Sequence, residues 1–576
     1  MNLSGASIVI KSLVDQGVDT IFGYPGGAVL PLYDELFKQN KLRHILVRHE
    51  QAAVHAAQGY ARSTGKLGVV LVTSGPGATN TVTGLADALT DSTPILCLTG
   101  QVATPLIGNN AFQEADIVGI TSPCTKHNYL VKEVSKIEKT IKEAIHIATT
   151  GRPGPVVVDL PKDIQNAVCD YKKIKNVTRA SYKVQTEADS KTIEKAVALM
   201  AKAKKPIFYI GGGVINSGAE ASELLTTLVK LTGFPITNTL MGLGSYPADD
   251  KQFLGMLGMH GTVEANMAMS ECDVMINIGA RFDDRVTGRI DSFSLNSKKI
   301  HADIDPSSIN KSVIVDIPIV GDAKNVIEQM IKAWKKNKFN ADKEALNKWY
   351  KKIDSWKKKM KPVSQKQTAK IKPQYVLECL NDLIEKKDIF VSTDVGQHQM
   401  WSAQKIKFKK PNRWMTSGGL GTMGYGLPAA IGAQIANPKS KVICVSGDAS
   451  IMMNIQELAT AMQHRAPIKL LILNNKYMGM VRQWQEMFHG DRYSESYVDT
   501  VPDFVALAKA FGAKGIMCDK VKDVKDTLKD MLDSKELVVV DMRVDGTENV
   551  YPMISAGAAH HEIKTGPDAD NKECED

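Results

Sequence analysis

Asp448 and Asn475 stand 27 residues apart, each just past a short apolar run. Lys441–Val445 leads into Gly447-Asp448-Ala449-Ser450, and Lys469–Leu473 leads into Asn474-Asn475. A hard divalent cation such as magnesium takes oxygen ligands in octahedral array and usually shares them with phosphate. One carboxylate, one side-chain amide, one backbone carbonyl, two phosphate oxygens and a water fill six positions. The same two residues would serve equally as polar caps on strand-end loops.

Glu50 is the second candidate. The pattern predicts a strand over Ile45–Arg48 and a helix over Ala52–Arg62, with Glu50 in the loop between them. His49-Glu50 with His55 imitates a zinc-binding helix, but that motif needs histidines four apart and these are six apart. A carboxylate at a helix N-terminus is also favoured by the helix dipole alone. Gly419-Leu420-Gly421-Thr422-Met423-Gly424 spells G-x-G-x-x-G, yet Asn412-Arg413-Trp414-Met415 precedes it instead of a hydrophobic strand. It reads as a turn opening a helix near Pro428 and not as a dinucleotide fingerprint. In the middle of the chain, Gly211-Gly212-Gly213 follows the predicted strand Pro206–Ile210. Leu257-Gly258-Met259-His260, Gly279-Ala280-Arg281, Asp303-Ile304-Asp305 and Gly321-Asp322 come after it. One strand-end glycine means little; several, with an acid after a strand, would suit a dinucleotide.

The elements that must hold these groups are those of parallel α/β domains. β-branched runs (Val69–Thr73, Ile95–Thr99, Val156–Leu160, Val274–Ile278) alternate with helical patterns, and 576 residues make room for about three domains. Polar connectors over 165–190 and 332–372 divide the chain into 1–165, 190–331 and 373–556, with a tail from 557 to 576. The outer two blocks repeat one another. Ser74-Gly75, Asn80, Leu85-Ala86-x-Ala88 and Pro94 match Ser446-Gly447, Asn454, Leu458-Ala459-x-Ala461 and Pro467 in order. A cleft between two such domains would meet a ligand with the loops after strand C-terminal ends.

Composition narrows the class. With 43% hydrophobic and 23% charged residues the chain is globular, and no apolar run is long enough for a membrane span. Residues 1–17 lack a basic-then-apolar leader. Eight scattered cysteines without a C-x-x-C pair fit reduced thiols in the cytoplasm. The net charge of +9 points away from nucleic acid once it is located. Residues 332–372 carry 15 Lys against three acids, a local +12 that leaves −3 for everything else.

Gly447-Asp448 with Asn475 at this spacing resembles the signature of thiamine diphosphate enzymes, with Ala449 where the family usually has a third glycine. Most of the chain resembles the large catalytic subunits of the acetohydroxyacid (acetolactate) synthases. The motifs that carry this are Phe22-Gly23-Tyr24-Pro25-Gly26-Gly27, Arg48-His49-Glu50-Gln51, Gly151-Arg152-Pro153-Gly154-Pro155, Arg281-Phe282-Asp283-Asp284-Arg285-Val286-Thr287-Gly288 and Gly479-Met480-Val481-Arg482-Gln483-Trp484.

The resemblance implies three doubly wound parallel-sheet domains, the outer two binding thiamine diphosphate and the middle one FAD. It makes Glu50 the carboxyl that shares a proton with the cofactor's aminopyrimidine, a task that asks for a raised pKa. It assigns thiamine diphosphate also to Val395, Gly396, Gln397, His398, Gly421, Met423, Gly447, Asp448, Ala449, Ser450, Asn475, Tyr477, Gly479 and Met480. Asp448, Asn475 and the Tyr477 carbonyl would hold Mg2+. FAD, structural in this reaction, falls to Arg152, Gly211, Gly212, Gly213, Thr239, Leu240, Met259, His260, Gly279, Arg281, Asp283, Val286, Asp303, Ile304, Asp322 and Ala323. Arg285 would hold the second keto acid's carboxylate, and Trp484 would shape its side-chain pocket. Gly27, Phe112, Gln113 and Lys162 match active-site and channel positions.

The implied reaction decarboxylates pyruvate and joins the two-carbon unit to pyruvate or 2-ketobutyrate, in branched-chain amino-acid biosynthesis. The implied assembly is a homodimer or homotetramer with sites between subunits and a regulatory small subunit. Two rivals are a flavin-dependent pyruvate oxidase, against which Arg285 and Trp484 argue, and a degenerate binding subunit, against which intact Glu50, Asp448 and Asn475 argue.

Overall fold

The computed structural model describes residues 2–174, 177, 179, 181–359 and 369–567. Three six-stranded, all-parallel sheets follow one another along the chain. The first contains β1 (Thr20–Tyr24), β2 (Arg43–Leu46), β3 (Gly68–Val72), β4 (Ile95–Gln101), β5 (His127–Leu130) and β6 (Pro155–Pro161), in spatial order β2-β1-β3-β4-β6-β5. The second contains β7 (Pro206–Ile210), β8 (Ile236–Asn238), β9 (Phe253–Met256), β10 (Val274–Ile278), β11 (Lys298–Asp303) and β12 (Ile317–Val320), ordered β9-β8-β7-β10-β11-β12. The third contains β13 (Ile389–Thr393), β14 (Trp414–Met415), β15 (Lys441–Gly447), β16 (Lys469–Asn474), β17 (Lys514–Cys518) and β18 (Val538–Arg543), ordered β14-β13-β15-β16-β18-β17.

The outer sheets therefore share one strand order, as their repeated motifs anticipate. The middle sheet has the order of doubly wound dinucleotide-binding sheets, with its direction of winding reversing between β7 and β10. The strands are apolar on both faces because helices cover both. In the first sheet Val69 and Leu71 join one core layer, while Val70 and Val72 join the opposite one. The same period of two separates Val445, Leu471 and Val540 from Cys444, Leu470 and Val539 in the third.

The outer domains meet along two crossed helices, Glu50–Thr64 and Gly426–Ala436. Gly59 and Gly432 permit that contact. A Cβ on Gly59 would lie 1.9 Å from the Ala429 carbonyl oxygen, and one on Gly432 would lie 1.8 Å from that of Ala56.

Three local expectations change. Glu50 opens the helix itself instead of preceding it, because His49 is the N-cap and its Nδ1 accepts the Gln51 N–H at 3.1 Å. The lysine-rich stretch is not a bare connector. It includes the end of helix Ala323–Lys336 and the whole of helix Lys343–Lys359. Trp349, Ile353 and Trp356 recur at helical spacing and bury one stripe against the middle domain, where the Trp349 indole donates to the Pro206 carbonyl. Several lysines lie over that packing as surface ion pairs, such as Lys352 with Glu271 and Lys357 with Glu264. Residues 360–368 lie outside the described part. The tail, open between cap and loose end from sequence, folds back through residue 567. Met553 pairs with Lys564, and buried His560 bonds the Val286 carbonyl at 2.7 Å. Its last nine residues, 568–576, lie outside the described part.

Candidate active site

At the C-terminal edge of the first sheet, the loops after β1, β2, β3 and β4 converge. Gly26 lies so near Thr73 that a Cβ would come within 2.5 Å of the threonine Cβ. Gly75, at φ +55°, packs on the backbone of Gln113, itself at φ +58°. Glu50 is half-buried here, and its Oε2 accepts a hydrogen bond from the Asn80 amide at 2.9 Å. The edge thus brings Gly27, Glu50 and Gln113 onto one set of neighbouring loops. Phe112 is 87% exposed, among several uncovered apolar side chains that include Tyr24, Leu30 and Leu106. Lys162 begins a short helix and points to solvent, while its neighbour Asp163 holds Thr104.

The corresponding edge of the third sheet is more closed. Asp448 is the first residue of a short helix after β15, and its side chain is fully buried. Its Oδ1 accepts the Asn475 N–H at 3.3 Å, whereas its Oδ2 has no partner among the described residues. Burial pushes this carboxyl up to about 6. The Asn475 side-chain oxygen accepts the Tyr477 N–H at 3.0 Å, which turns the following loop toward Asp448. A buried carboxylate oxygen without a donor, beside an amide oxygen and loop carbonyls, is what a hard cation would satisfy. Among the described residues no three His, Cys, Asp or Glu side chains converge as a metal cluster. A cation here would accordingly draw on amide, carbonyl and ligand oxygens, which fits magnesium bound with phosphate.

His398 packs beside Gly396 and Gly447, where a Cβ would approach its ring at 2.8 and 3.0 Å respectively. Its Nε2 is buried without a partner among the described residues, and burial holds its pKa near 3, so the ring is a neutral donor or acceptor for a ligand. Gln397 is fixed by bonds from its amide to Gln483 and the Glu548 carbonyl. Its oxygen lies where a Cβ on Gly479 would collide, at 2.0 Å. Ser450 accepts the Gly447 N–H, Ala449 lies beside it in the same helical turn, and Met423 is half-buried next to Gly424.

A cavity of about 1520 Å3 opens between the middle and third domains. Its middle-domain wall is built around the β7/β10 reversal. A Cβ on Gly211 would meet the Gly279 carbonyl oxygen at 2.1 Å, and one on Gly213 would meet the Gly279 Cα at 2.7 Å, so two strand-end loops touch backbone to backbone. Gly212, Thr239, Leu240, Met259, His260, Arg281, Asp283, Val286, Asp303, Ile304, Asp322 and Ala323 line the same space. Arg152 enters from the first domain, anchored by Ser92 and by the Leu89 and Thr90 carbonyls. An elongated cleft with bare glycine backbone at a sheet reversal and acids on the next strand ends fits a dinucleotide. His260 is buried with its pKa lowered to about 4 by burial, hence neutral.

At the other end the cavity reaches Val395, Gly396, Gly421, Met480 and Trp484 of the third domain. Arg285 is exposed there, 6.0 Å from the Trp484 ring centre and 3.8 Å from an Asp284 carboxylate oxygen. A guanidinium facing an open cavity beside an aromatic wall can take a small carboxylate. Gly27, Glu50 and Gln113 do not line this cavity; within one chain, the first sheet's edge is separate from it.

Several groups escaped the sequence reading. Asp394, fully buried after β13, accepts the Val395 and Gly424 N–H groups and so fixes the loop carrying Met423. Asp87, Asp91 and Glu457 hold loops across the boundary of the outer domains, and burial pushes the Glu457 carboxyl up to about 7. Asn80 and the helix of Glu457 fall inside the repeated motif, so the repeat was the available signal. No local pattern marks Asp394.

The geometry agrees with similarity to known proteins. Residues 3–120 match the thiamine pyrophosphate enzyme N-terminal TPP binding domain, 193–330 the central domain, and 394–542 the C-terminal TPP binding domain. The chain is 49% identical to the acetolactate synthase isozyme 3 large subunit of Escherichia coli, over 97% of this chain and 98% of the relative. It is 48% identical to the acetolactate synthase large subunit of Haemophilus influenzae, over 97% and 98%. The acetolactate synthase of Mycobacterium bovis is 47% identical, over 98% of this chain and 91% of the relative.

Proposed function

This chain belongs to the thiamine pyrophosphate enzymes, among the acetolactate synthase large subunits, and we propose that it catalyses that carboligation. It would convert two pyruvates to 2-acetolactate and carbon dioxide, or pyruvate and 2-ketobutyrate to 2-aceto-2-hydroxybutyrate and carbon dioxide. The observation that carries the reading is the buried, half-partnered Asp448 beside Asn475, within a chain similar end to end to synthases.

Bound thiamine diphosphate supplies the electron sink that decarboxylation of a 2-keto acid needs. Asp448, Asn475 and the Tyr477 carbonyl would hold Mg2+ against its diphosphate, with His398 and the Gly396 and Gly447 backbones close by. Glu50 would hold a proton on its carboxyl against the pyrimidine ring, and Asn80 keeps that carboxyl oriented. Arg285 would bind the carboxylate of the acceptor keto acid, while Trp484 limits the volume left for its side chain. Phe112, Leu420 and Val481 would exclude water, because protonation of the reacting carbon releases acetaldehyde instead. The cleft around Gly211, Gly279 and Asp322 suits FAD in a structural role, since the reaction is redox-neutral.

Glu50 lies on an edge that the main cavity does not include, and apolar side chains stand uncovered on both edges. Two copies, the first edge of one against the third edge of the other, would complete each site, as a homodimer or as a homotetramer built from two such dimers. A regulatory small subunit is inferred from the relatives' designation as large subunits. Placement in the cytoplasm rests on the scattered cysteines; among the described residues no helix is long and apolar enough to cross a membrane. The pathway inferred is branched-chain amino-acid biosynthesis.

The test is a competition assay with pyruvate and 2-ketobutyrate in the presence of thiamine diphosphate and Mg2+, with and without FAD, quantifying both hydroxy acids. Formation of either product supports the reading. Stoichiometric flavin reduction by pyruvate under anaerobic conditions, with neither product formed, would overturn it.

A further inference from the structure

Two helices on equivalent positions of the outer domains reach across the boundary between them, each into a loop of the other domain. Helix Glu457–Gln463, in the third domain, carries the buried Glu457, whose two carboxylate oxygens accept the Arg48 N–H at 3.0 and 3.2 Å. The Thr460 hydroxyl donates to the same carboxylate at 2.6 Å. Just past the helix, His464 Nε2 accepts the Leu46 N–H at 3.0 Å, and the Gln463 side-chain oxygen accepts from the Arg48 guanidinium at 2.6 Å.

In the opposite direction, helix Val82–Thr90 of the first domain presents Asp87 to the Ser417 and Thr422 hydroxyls. Asp91, which caps it, accepts the Gly418 and Gly419 N–H groups at 2.9 and 2.7 Å. The repeated Leu-Ala-x-Ala motif sets Asp87 against Thr460 and Asp91 against His464. Equivalent helix faces thus do equivalent work in both directions. Each holds the segment that leads into the partner domain's crossed helix, Glu50–Thr64 on one side and Gly426–Ala436 on the other.

We propose that Glu457 is a positioning residue for Glu50, fixing through the Arg48 N–H the three-residue step between β2 and the helix that Glu50 opens. The inference rests on the assignment of Glu50 to proton handling made above. Physically, Glu457 is itself fully buried and satisfies a backbone donor in a part-buried step of the chain. Removing the acceptor leaves that N–H unpaired and frees residues 47–49 to shift, and with them the direction of the Glu50 carboxyl. Glu457 lies nine residues beyond Asp448 on the same stretch of chain. One segment therefore carries the proposed cation ligand and holds in place the carboxyl that would serve the other site of a dimer.

The experiment compares Glu457→Ala, the shape-preserving Glu457→Met and the acceptor-retaining Glu457→Gln with Leu458→Ala, a buried neighbour that touches no backbone donor of the first domain. Hydrogen exchange of the cofactor-free chain is read over residues 46–52, beside the melting temperature and steady-state kinetics with pyruvate. Glu457→Ala and Glu457→Met are expected to speed exchange selectively over 46–52. They should lower kcat by about 10- to 100-fold with KM within about twofold, the scale on which misplacing a reacting group acts. Glu457→Gln should restore most of both. Should Glu457→Ala fail to fold, Glu457→Met carries the comparison. Exchange over 46–52 no faster than in Leu458→Ala, or a Gln variant as impaired in kcat as the Met variant, would overturn the proposal. The exchange readout needs no cofactor or turnover, so a chain that formed no hydroxy acid yet showed selective exchange would fault the assignment of function and leave the brace standing.

Discussion

The first and third sheets share a strand order and present the same ends of their strands, yet they offer opposite chemistry. After Ser74-Gly75 the first domain continues with Pro76; after Ser446-Gly447 the third continues with Asp448. Both residues begin a short helix. A single position therefore separates an edge with no acid at that turn from one with a buried, half-partnered carboxylate. The asparagine that follows in each repeat keeps its bracing task but changes its target: Asn80 holds the Glu50 carboxylate, whereas Asn454 holds the Gly424 carbonyl. The scaffold and its braces are duplicated, and the reacting groups are local substitutions on it. On the proposed assignment, neither edge is sufficient alone.

The largest effect that would sharpen this contrast is expected from Asp448→Asn. Loss of the buried carboxylate should weaken Mg2+ and thiamine diphosphate binding and lower turnover at fixed cofactor by 100-fold or more, on the order of the loss of a metal ligand; cofactor titration measures it. Glu50→Gln should cost about 10²–10⁴ in kcat while leaving cofactor and Mg2+ affinity near the parent values. Equal loss of cofactor affinity in both variants would erase the division of labour.

Gly59→Ala and Gly432→Ala test whether the duplicated helices hold the two domains together. Each adds a methyl group against a backbone carbonyl and should cost about 1–3 kcal/mol or somewhat more, read as a lower melting temperature. The smallest effect concerns pH. Asp159, at the end of β6, is buried against Thr99 and Gln101, and burial pushes its carboxyl up to about 7. A carboxyl raised on folding binds its proton more tightly in the native state. Stability from this group is present at low pH and falls as pH rises from about 4 through about 7. Asp159→Asn should flatten that part of the curve of stability against pH. Its third-domain counterpart Asp541 bonds the Asn474 amide and has Arg543 beside it, whereas Asp159 has no such charged partner among the described residues.

Much of this was legible in the chain. The strands Pro206–Ile210 and Val274–Ile278 coincide with the sequence reading because their apolar runs are bounded by proline, aspartate or glycine. The repeat anticipated the shared strand order because fold-defining glycines, prolines and helix residues recur in register. The helical part of the lysine-rich stretch was obscured because charge dominated its composition while a few large side chains, among them Trp349, Ile353 and Trp356, carry its packing. Glu50's exact placement at the helix start depended on His49 acting as a cap through its ring nitrogen, which residue type alone does not signal. The repeat marks the helices that carry Glu457 and Asp87 but not what these residues hold, because their partners are backbone N–H and hydroxyl groups more than 300 residues away in sequence.

In the proposed enzyme, one reaction is built from two different edges contributed by two copies of the chain. Co-expressing Glu50→Gln and Asp448→Asn chains tests it most directly. Random pairing into two-fold dimers leaves one of the two sites intact in mixed pairs, so acetolactate synthesis should recover to about a quarter of the parent rate although each variant alone is nearly inactive. Mixed dimers isolated by two affinity tags, with activity no higher than that of either variant alone, would contradict the account.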